Sequence, residues 1–386
     1  MKKIIITFGT RPEAIKMAPV YFALKREKKF CVKMVLTGQH TTMLDEALRA
    51  FRIKPEYNLN IMIARQTLSD ITTRALKKLD AVYKKEKPDL VLVHGDTTTT
   101  LSACLCAFYN QIPVAHVEAG LRTHHKNEPF PEELNRILTD SICDILYAPT
   151  QIAKENLLKE NVNGEIFVTG NTVIDAIKLI LERGLKVNPV RCLLSNGVNR
   201  EISNLTRKPF VLFTMHRRES WGKPMERIFS TLYEIFKKEK EIYLVYPVHP
   251  NPKVKIPAQK ILSKLKNVIL TKPISYTELL FLMQKALFIA TDSGGIQEEA
   301  TFFGKKVLLL RRFTERPEGV KAGFIDIIGL DEKKFAKKFN KLLEMRRESV
   351  KIKKRCPYGD GRASLRILSH IKKYFGLKTE LKEFGG

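Results

Sequence analysis

The 386-residue sequence has no long apolar run and contains little cysteine, tryptophan or acidic charge. No stretch approaches the roughly 18–20 apolar residues that a membrane-spanning helix needs, so the sequence predicts no membrane insertion. A short apolar run follows the first lysines, as in a signal peptide, but it breaks at Gly9-Thr10-Arg11-Pro12. That break favours a buried first strand over an export signal. The six cysteines show no paired spacing, which is typical of reduced thiols in a cytoplasmic protein.

The shortage of acidic residues leaves a formal net charge of +27, from 68 Lys and Arg against 41 Asp and Glu. Such a charge suits a nucleic-acid-binding protein, but its distribution does not. In the run Lys333-Lys334-Phe335-Ala336-Lys337-Lys338-Phe339, apolar residues recur at helical spacing and lysines occupy the other face. This pattern is typical of a solvated helix, and the sequence predicts no specific nucleic-acid partner.

Two series of short apolar runs predict two parallel sheets. The runs are rich in β-branched residues, apolar on both faces, and separated by helix-like segments, as in strands that helices cover on both sides. The alternation predicts two doubly wound α/β domains, with the polar stretch 188–208 between them. The runs cover residues 4–8, 32–36, 90–93, 114–117, 145–148, 166–168, 210–213, 242–246, 268–270, 287–290 and 307–310.

Polar or glycine-rich residues follow almost every predicted strand. Open parallel sheets bind ligands at the carboxyl ends of their strands. Because both series carry polar groups at those ends, we expect a ligand-binding cleft lined from both domains. These stretches begin at Gly9, Thr37, His94, His116, His216, His249 and Thr291.

Two of these stretches are candidate anion sites. Arg11 and Lys16 flank Pro12 at a predicted helix start, where backbone N–H groups favour an anion, although both are also compatible with a solvated helix surface. Ser293-Gly294-Gly295 precedes another helix and offers a hydroxyl and bare N–H groups, although it also suits an ordinary tight turn. Glu299, one turn into that helix, would meet sugar hydroxyls or solvent.

Several carboxylates are candidates for acid–base chemistry. Asp96 and Glu118 follow predominantly apolar strands, where a carboxylate is costly to bury without a partner. Glu132 and Glu133 follow Pro129-Phe130-Pro131 at a helix start, where they either cap the helix or point into the site. Clustered carboxylates shift one another's pKa values apart, as acid–base catalysis requires.

A metal site is the alternative for part of this cluster. His94, Asp96, His116 and Glu118 are possible ligands, and they would suit a metal-dependent hydrolase. Their spacing matches no strong metal motif, and a dinucleotide Gly-x-Gly-x-x-Gly is absent after the first strand. The sequence therefore predicts neither a metal nor a cofactor.

A set of motifs in order along the chain closely resembles the non-hydrolysing UDP-N-acetylglucosamine 2-epimerase family, from residue 3 to about residue 370. They are Gly9-Thr10-Arg11-Pro12-Glu13, His94-Gly95-Asp96-Thr97, His116-Val117-Glu118-Ala119-Gly120, Pro131-Glu132-Glu133-Leu134, Thr169-Gly170-Asn171-Thr172, His216-Arg217-Arg218-Glu219, Asp292-Ser293-Gly294-Gly295, Thr314-Glu315-Arg316-Pro317 and Pro357-Tyr358-Gly359-Asp360.

The resemblance implies the GT-B fold, with two Rossmann-like domains facing across a cleft. The expected domains are residues 1–175 and a UDP-binding domain of residues 176–362, with a last helix at about 363–386 that packs back onto the first. A homodimer is also implied. The implied substrate-binding residues are Arg11, Lys16, Asp96, Glu118, His216, Ser293, Gly294, Gly295, Glu299 and Arg316, and the implied catalytic residues are Asp96, Glu118, Glu132 and His216.

The implied reaction interconverts UDP-N-acetylglucosamine (UDP-GlcNAc) and UDP-N-acetylmannosamine (UDP-ManNAc) for surface polysaccharide synthesis. The expected route eliminates UDP to give 2-acetamidoglucal and then adds UDP back. Two alternatives stay open: a hydrolysing 2-epimerase that releases ManNAc and UDP, and a glycosyltransferase of the same fold.

Overall fold

The chain folds into two compact units. One unit comprises Met1–Arg183 with Tyr358–Gly386, and the other comprises Gly184–Pro357. Most of the polar stretch expected to separate two domains lies outside the residues that the structure describes. The computed structural model describes residues 1–38, 42–63, 66–183, 208–345, 352, 354–380 and 382–385.

The first unit is built on a seven-stranded sheet whose neighbouring strands all pair in parallel. The spatial order is β3-β2-β1-β4-β5-β6-β7, so the winding direction reverses between β1 and β4. Central strands such as β4 are buried throughout, as their apolar sequence predicts. The strands are β1 (Lys2–Phe8), β2 (Phe30–Leu36), β3 (Tyr57–Asn58), β4 (Leu90–His94), β5 (Val114–Val117), β6 (Ile145–Ala148) and β7 (Glu165–Val168).

Helices connect these strands and fall into two packed groups. The helices are α1 (Arg11–Lys25), α2 (Thr42–Phe51), α3 (Leu68–Glu86), α4 (Thr98–Tyr109), α5 (Glu132–Ile142), α6 (Gln151–Lys159) and α7 (Thr172–Glu182). Helix α1 packs against α2 and α7, whereas α4 packs against α3 and α5. This grouping is the expected covering of a doubly wound sheet.

The second unit repeats the plan with six strands in the order β10-β9-β8-β11-β12-β13. All neighbours again pair in parallel, and the winding reverses between β8 and β11. The strands are β8 (Phe210–Thr214), β9 (Tyr243–Pro247), β10 (Val268–Thr271), β11 (Ile289–Thr291), β12 (Val307–Leu309) and β13 (Ile325–Ile327).

Aromatic packing joins this second sheet to its helices. Phe213 on β8 makes edge-to-face contacts with Phe229 and Tyr246 in the buried core. A 3-10 turn at Arg218–Ser220 follows β8. The helices are α8 (Lys223–Lys238), α9 (Pro252–Leu262), α10 (Tyr276–Lys285), α11 (Gly294–Phe302), α12 (Pro317–Lys321) and α13 (Glu332–Glu344).

After the second unit, the chain returns to the first through α14 (Ala363–Tyr374), which packs against α1 and α7. The buried Asp175 carboxylate accepts the N–H groups of Ala363 and Ser364 at 3.1 and 2.8 Å, so it caps the start of this helix. Further along, Phe384 is buried and donates its N–H to the Val168 carbonyl at 2.9 Å.

These features confirm the predicted fold class of two doubly wound parallel-sheet units. Every predicted apolar run overlaps an observed strand, but two edge strands, β3 and β13, have no counterpart in the prediction. Both are short and lack the apolar runs of the other strands. Among the described residues, no helix combines the length and apolar character needed to cross a membrane.

Candidate functional site

In the first unit, the candidate site begins where β1 gives way to α1. Thr10 is the N-cap of α1, and Arg11 is its first residue. Arg11 is half-buried, and no residue in the described part of the chain forms an ion pair with its guanidinium. The placement leaves a cation at a helix N-terminus, which is the arrangement that the sequence predicted for an anion site.

A buried carboxylate, Glu13, ties this loop to the loop after β4. One oxygen of Glu13 accepts the N–H groups of Gly9 and Thr10 at 3.0 and 2.7 Å. The other accepts the hydroxyls of Thr97 and Thr100 at 2.7 and 3.0 Å. Burial raises the pKa of Glu13 although these hydrogen bonds oppose it. The two loops at the reversal point of the sheet are therefore both hydrogen-bonded to the Glu13 carboxylate.

Asp96 lies in the loop after β4 and forms an ion pair with Arg136 on α5, with Nη2 and Oδ2 2.8 Å apart. The side chain of Asp96 remains 31% exposed. Asn135, next to Arg136, donates its amide to the Asp96 carbonyl at 2.9 Å. Helix α5 therefore fixes both the backbone and the carboxylate of Asp96 while leaving the carboxylate open to a ligand.

Glu118, directly after β5, has a left-handed backbone with φ of +72°, which is uncommon for a residue other than glycine. Its N–H and that of Ala119 both donate to the Tyr147 carbonyl at 3.1 Å, which holds this conformation. The buried Glu118 carboxylate forms an ion pair with Lys16 from α1 and accepts the Asn171 amide at 2.7 Å. A predicted anion ligand and a predicted catalytic carboxylate are thus in direct contact.

The two glutamates at the start of α5 have different environments. Glu132 is the first residue of the helix and is partly buried. Glu133 is fully buried and accepts the N–H groups of Thr123 and His124, each at 2.9 Å. The Glu133 carboxylate therefore holds the loop before α5 in place. Glu132 is the member of the pair that stays a candidate for catalysis.

The two histidines of the alternative metal interpretation are both buried. The ring nitrogens of His116 contact the Asp140 carboxylate at 2.6 Å and the Gly95 carbonyl at 2.7 Å, so both already have partners. Burial lowers the pKa of His94 to about 3, so this ring is neutral near pH 7. Across the described ranges, no three His, Cys, Asp or Glu side chains converge in a way that suits a metal ion.

In the second unit, the corresponding reversal point brings the ends of β8 and β11 together. The Asp292 carboxylate accepts the N–H groups of His216 and Arg217, each at 2.8 Å. Its other oxygen lies 3.4 Å from His216 Nδ1. The His216 ring stacks on His249 from the loop after β9, with the ring centroids 5.7 Å apart. Asp292 thus orients the backbone and the ring of His216.

The start of α11 supplies the second candidate anion site. Ser293 is the N-cap of this nine-residue helix, and Gly294 and Gly295 are its first two residues. The Arg316 guanidinium lies so close that a Cβ added at Gly294 would be 3.0 Å from Nη1. Arg316 is held by Glu315 and by Glu298, the latter at 2.6 Å from Nε. A buried cation therefore flanks a helix N-terminus with little side-chain cover.

Glu299, on the same helix, is buried rather than solvated. The structure thus places Arg11, Asp96, Glu118 and Glu132 on loops and helix starts of the first unit, with Lys16 in the second turn of α1. It places His216, Ser293, Gly294, Gly295 and Arg316 on loops and helix starts of the second unit, with Glu299 in the second turn of α11.

Sequence reasoning did not single out three side chains that hydrogen-bond to these residues or to the loops beside them. Glu13, Asn171 and Asp292 all lie inside motifs that were recognised, but each acts through hydrogen bonds to groups distant in sequence. Their only sequence signal was a polar residue beside a predicted strand end.

Several known proteins are similar to this chain. Residues 22–372 match the family model described as UDP-N-acetylglucosamine 2-epimerase. The chain is 46% identical to the UDP-N-acetylglucosamine 2-epimerase of Bacillus subtilis, over 98% of this chain and 97% of that protein.

Solved structures show the same similarity over the whole chain. The Staphylococcus aureus MnaA–UDP co-structure superposes with a TM-score of 0.90 at 46% identity and covers 100% of both chains. The Neisseria meningitidis UDP-GlcNAc 2-epimerase bound to UDP-GlcNAc superposes with a TM-score of 0.88 at 42% identity, covering 96% of this chain and 100% of that one.

Proposed function

The chain belongs to the UDP-N-acetylglucosamine 2-epimerase family, and from that premise we propose that it interconverts UDP-GlcNAc and UDP-ManNAc without net hydrolysis. The solved relatives that hold UDP or UDP-GlcNAc support a UDP-sugar as the ligand. In this proposal the residues grouped on each unit bind a UDP-sugar or act on it.

The proposed chemistry begins with the bond between C1 and the diphosphate. The C2 hydrogen of the sugar is not next to a carbonyl, so a carboxylate alone is too weak a base to remove it. As the C1–O bond breaks, C1 gains oxocarbenium character and the C2 proton becomes acidic. A carboxylate takes that proton, the C1=C2 double bond of 2-acetamidoglucal forms, and UDP departs with the C1–O electron pair.

The second half reverses these steps on the other face of the ring. A carboxylic acid delivers a proton to C2 from the opposite side, and a UDP oxygen bonds to C1. Atoms and charges balance without a redox partner. We assign the two proton transfers to the candidate carboxylates Asp96, Glu118 and Glu132. A positioned acid or base of this kind typically contributes about 10²–10⁴-fold in rate.

Stabilisation of the departing diphosphate falls to cations and helix N-termini. Arg11 and the Ser293 loop lie at helix starts, and Arg316 flanks the latter. Lys16 and His216 are the other proposed ligands of the diphosphate, and Glu299 is proposed to contact the nucleoside. Loss of one preorganised contact of this kind costs about 3 kcal/mol, or about 10²-fold in rate.

The contact between Lys16 and Glu118 carries the proposal. It pairs a buried cation with a buried carboxylate held in an uncommon backbone conformation. A diphosphate that attracts Lys16 would leave Glu118 with less positive charge nearby and so make it a stronger base. Leaving-group binding and proton abstraction would then be linked through one ion pair.

We further propose a homodimer that works in the cytoplasm and supplies ManNAc units for surface polysaccharides. The family resemblance supports the dimer and the pathway. The unpaired spacing of the six cysteines in the sequence supports a reducing compartment.

A single NMR time course tests the reaction. The protein is incubated in D₂O with UDP-GlcNAc alone, and proton and phosphorus spectra are recorded. The expected result is UDP-ManNAc and UDP-GlcNAc, both deuterated at C2, with the diphosphate still attached to the sugar. Epimerised sugar without deuterium would contradict the proton chemistry. Stoichiometric free UDP with ManNAc would identify a hydrolysing enzyme, and no reaction until an acceptor is added would identify a glycosyltransferase.

A further inference from the structure

Asn171 connects the start of α7 to the carboxylate of Glu118. The residue is buried, with 2% of its surface exposed, and its side chain accepts one hydrogen bond and donates another. Oδ1 accepts the N–H of Val173 at 3.0 Å, and Nδ2 donates to Glu118 Oε2 at 2.7 Å. One amide therefore serves both as a helix N-cap and as a hydrogen-bond donor to a proposed catalytic group.

The N-cap fixes which way the amide faces. A backbone N–H accepts nothing, so the atom that faces Val173 must be the oxygen, and the nitrogen is left facing Glu118. Glu118 Oε2 therefore receives a neutral donor from Asn171 in addition to the charged donor from Lys16. The orientation follows from the local geometry of α7 and does not depend on the ionisation state of Glu118.

The backbone of Asn171 is also held firmly. Its N–H donates to the Tyr358 carbonyl at 2.6 Å, where the chain returns to the first unit. Gly359 lies against the same peptide, since a Cβ added there would be 3.4 Å from the Asn171 nitrogen. Because both the backbone and the side chain are fixed, the donor is presented to Glu118 from a rigid position.

Glu118 needs such a donor. Its left-handed backbone restricts where its side chain points, and Lys16 is the residue that the proposed function assigns to the diphosphate. When a diphosphate attracts Lys16, the Asn171 amide still holds Glu118 Oε2. A neutral donor positions the carboxylate without lowering its basicity as far as a second cation would.

We propose that Asn171 is a positioning residue for Glu118, and that its amide sets both the orientation and the proton affinity of that carboxylate during proton transfer. The inference rests on the proposed function for the role of Glu118, but the contact itself is independent of the reaction. The simpler alternative is that Asn171 only caps α7.

Two substitutions separate these roles. Aspartate and serine are both good N-caps, so Asn171→Asp and Asn171→Ser each keep an acceptor for the Val173 N–H. Neither new side chain has an amide N–H to donate to Glu118, and the new aspartate adds a second negative charge beside the Glu118 carboxylate. The matched control is Asp331→Ser, because Asp331 caps α13 through the Lys333 and Lys334 N–H groups and touches no proposed site residue.

We expect the Glu118 pKa to rise in Asn171→Ser and to rise further in Asn171→Asp, because the charged form loses a donor and then gains a like charge. The acidic limb of the pH profile of kcat/KM then moves to higher pH in the same order. At neutral pH, kcat falls about 10- to 100-fold, as expected for a displaced catalytic group, while Kd for UDP stays within about threefold. Asp331→Ser leaves both the limb and kcat unchanged.

The measurements are kinetic pH profiles and a carboxyl-carbon NMR titration of Glu118, assigned with Glu118→Gln. An unchanged Glu118 titration and acidic limb in both Asn171 variants would overturn the proposal and leave Asn171 as a helix cap. If the unaltered protein does not epimerise UDP-GlcNAc, the proposed function fails. The NMR titration then still decides whether Asn171 controls Glu118.

Discussion

The carboxylate of Asp292 accepts the backbone N–H of His216 at 2.8 Å, across the point where the winding of the six-stranded sheet reverses. The same oxygen accepts the N–H of Arg217, and no solvent reaches the Asp292 side chain. Two strand ends that are far apart in sequence are therefore joined by one buried carboxylate.

Replacement of Asp292 by alanine should destabilise the protein by about 1–3 kcal/mol, because two backbone donors lose their acceptor. Asp292→Asn keeps one acceptor oxygen and should lose less stability than the alanine variant. Asp326→Ala is the control, since the partly exposed Asp326 pairs with two lysine side chains among the described residues. Its replacement should cost less than about 1 kcal/mol. Urea unfolding measures all three, and equal losses in the two alanine variants would contradict the role given to Asp292.

Asp96→Asn should leave UDP binding within several-fold and lower kcat by about 10²-fold or more, because the amide cannot take part in proton transfer. Asp89→Asn is a close match, since Asp89 is 33% exposed and also lies 2.8 Å from a basic nitrogen, that of Lys2. Turnover by Asp89→Asn should stay near the level of the unaltered protein. Isothermal titration with UDP and initial rates provide the comparison, and full activity of Asp96→Asn would remove Asp96 from the catalytic set.

Two adjacent glycines at the start of α11 should respond differently to alanine. At Gly294 the new methyl group would be 3.0 Å from Arg316 Nη1 and 3.2 Å from Glu315 Oε1, so the protein should lose stability. At Gly295, apart from its chain neighbours and the backbone of its own helix, no heavy atom of the described residues lies within 4 Å of the added carbon. Alanine also favours a helix over glycine by up to about 1 kcal/mol.

Gly295→Ala should therefore keep or raise the Tm while it weakens UDP binding about tenfold or more, because a phosphate would have to approach the backbone where the methyl group stands. Thermal denaturation and UDP titration measure the two effects separately. Unchanged UDP affinity in Gly295→Ala would show that the diphosphate does not approach this residue.

His94 should make the protein sensitive to mild acid. Burial lowers its pKa to about 3, whereas an unfolded histidine titrates near 6.5. Between these values the unfolded chain binds a proton that the folded chain does not, so stability falls as the pH drops, by about 2 kcal/mol between pH 7 and pH 5.

His94→Leu should remove this part of the acid sensitivity. The replacement should cost little at pH 7, because neither ring nitrogen of His94 has a hydrogen-bond partner among the residues described. The exposed His124, whose φ of +62° also suits asparagine, provides the control His124→Asn. Urea midpoints at several pH values test the difference, and equal acid sensitivity in the two variants would contradict a buried, neutral His94.

Patterns within short stretches predicted most of the fold. Runs such as residues 90–93 are apolar on both faces, and strands of that kind are recognisable wherever they occur. Strand β3 was missed because Tyr57–Asn58 is a two-residue edge strand, which carries no periodicity. Polar residues at strand ends likewise located Asp96 and Glu118, because a parallel sheet brings its carboxyl ends to one edge.

Contacts between distant parts of the chain could not be predicted in this way. The pairing of Lys16 with Glu118 depends on how α1 lies relative to β5. The role of Glu133 also became visible only in the structure, since its acceptor oxygen faces Thr123 and His124 rather than a ligand. The positions of the polar motifs after the strands predicted the edge of the sheet at which they lie. They did not predict which carboxylate contacts which donor.

The return of the chain through α14 has a consequence for biosynthesis. Asp175 finds the N–H groups of Ala363 and Ser364 only after the whole second unit has been translated. Until then, the Asp175 carboxylate of the nascent first unit lacks these two donors, and the helix that packs against α1 and α7 has not been made. Folding of the first unit therefore cannot be completed until the second unit has been translated, because α14 follows the second unit along the chain.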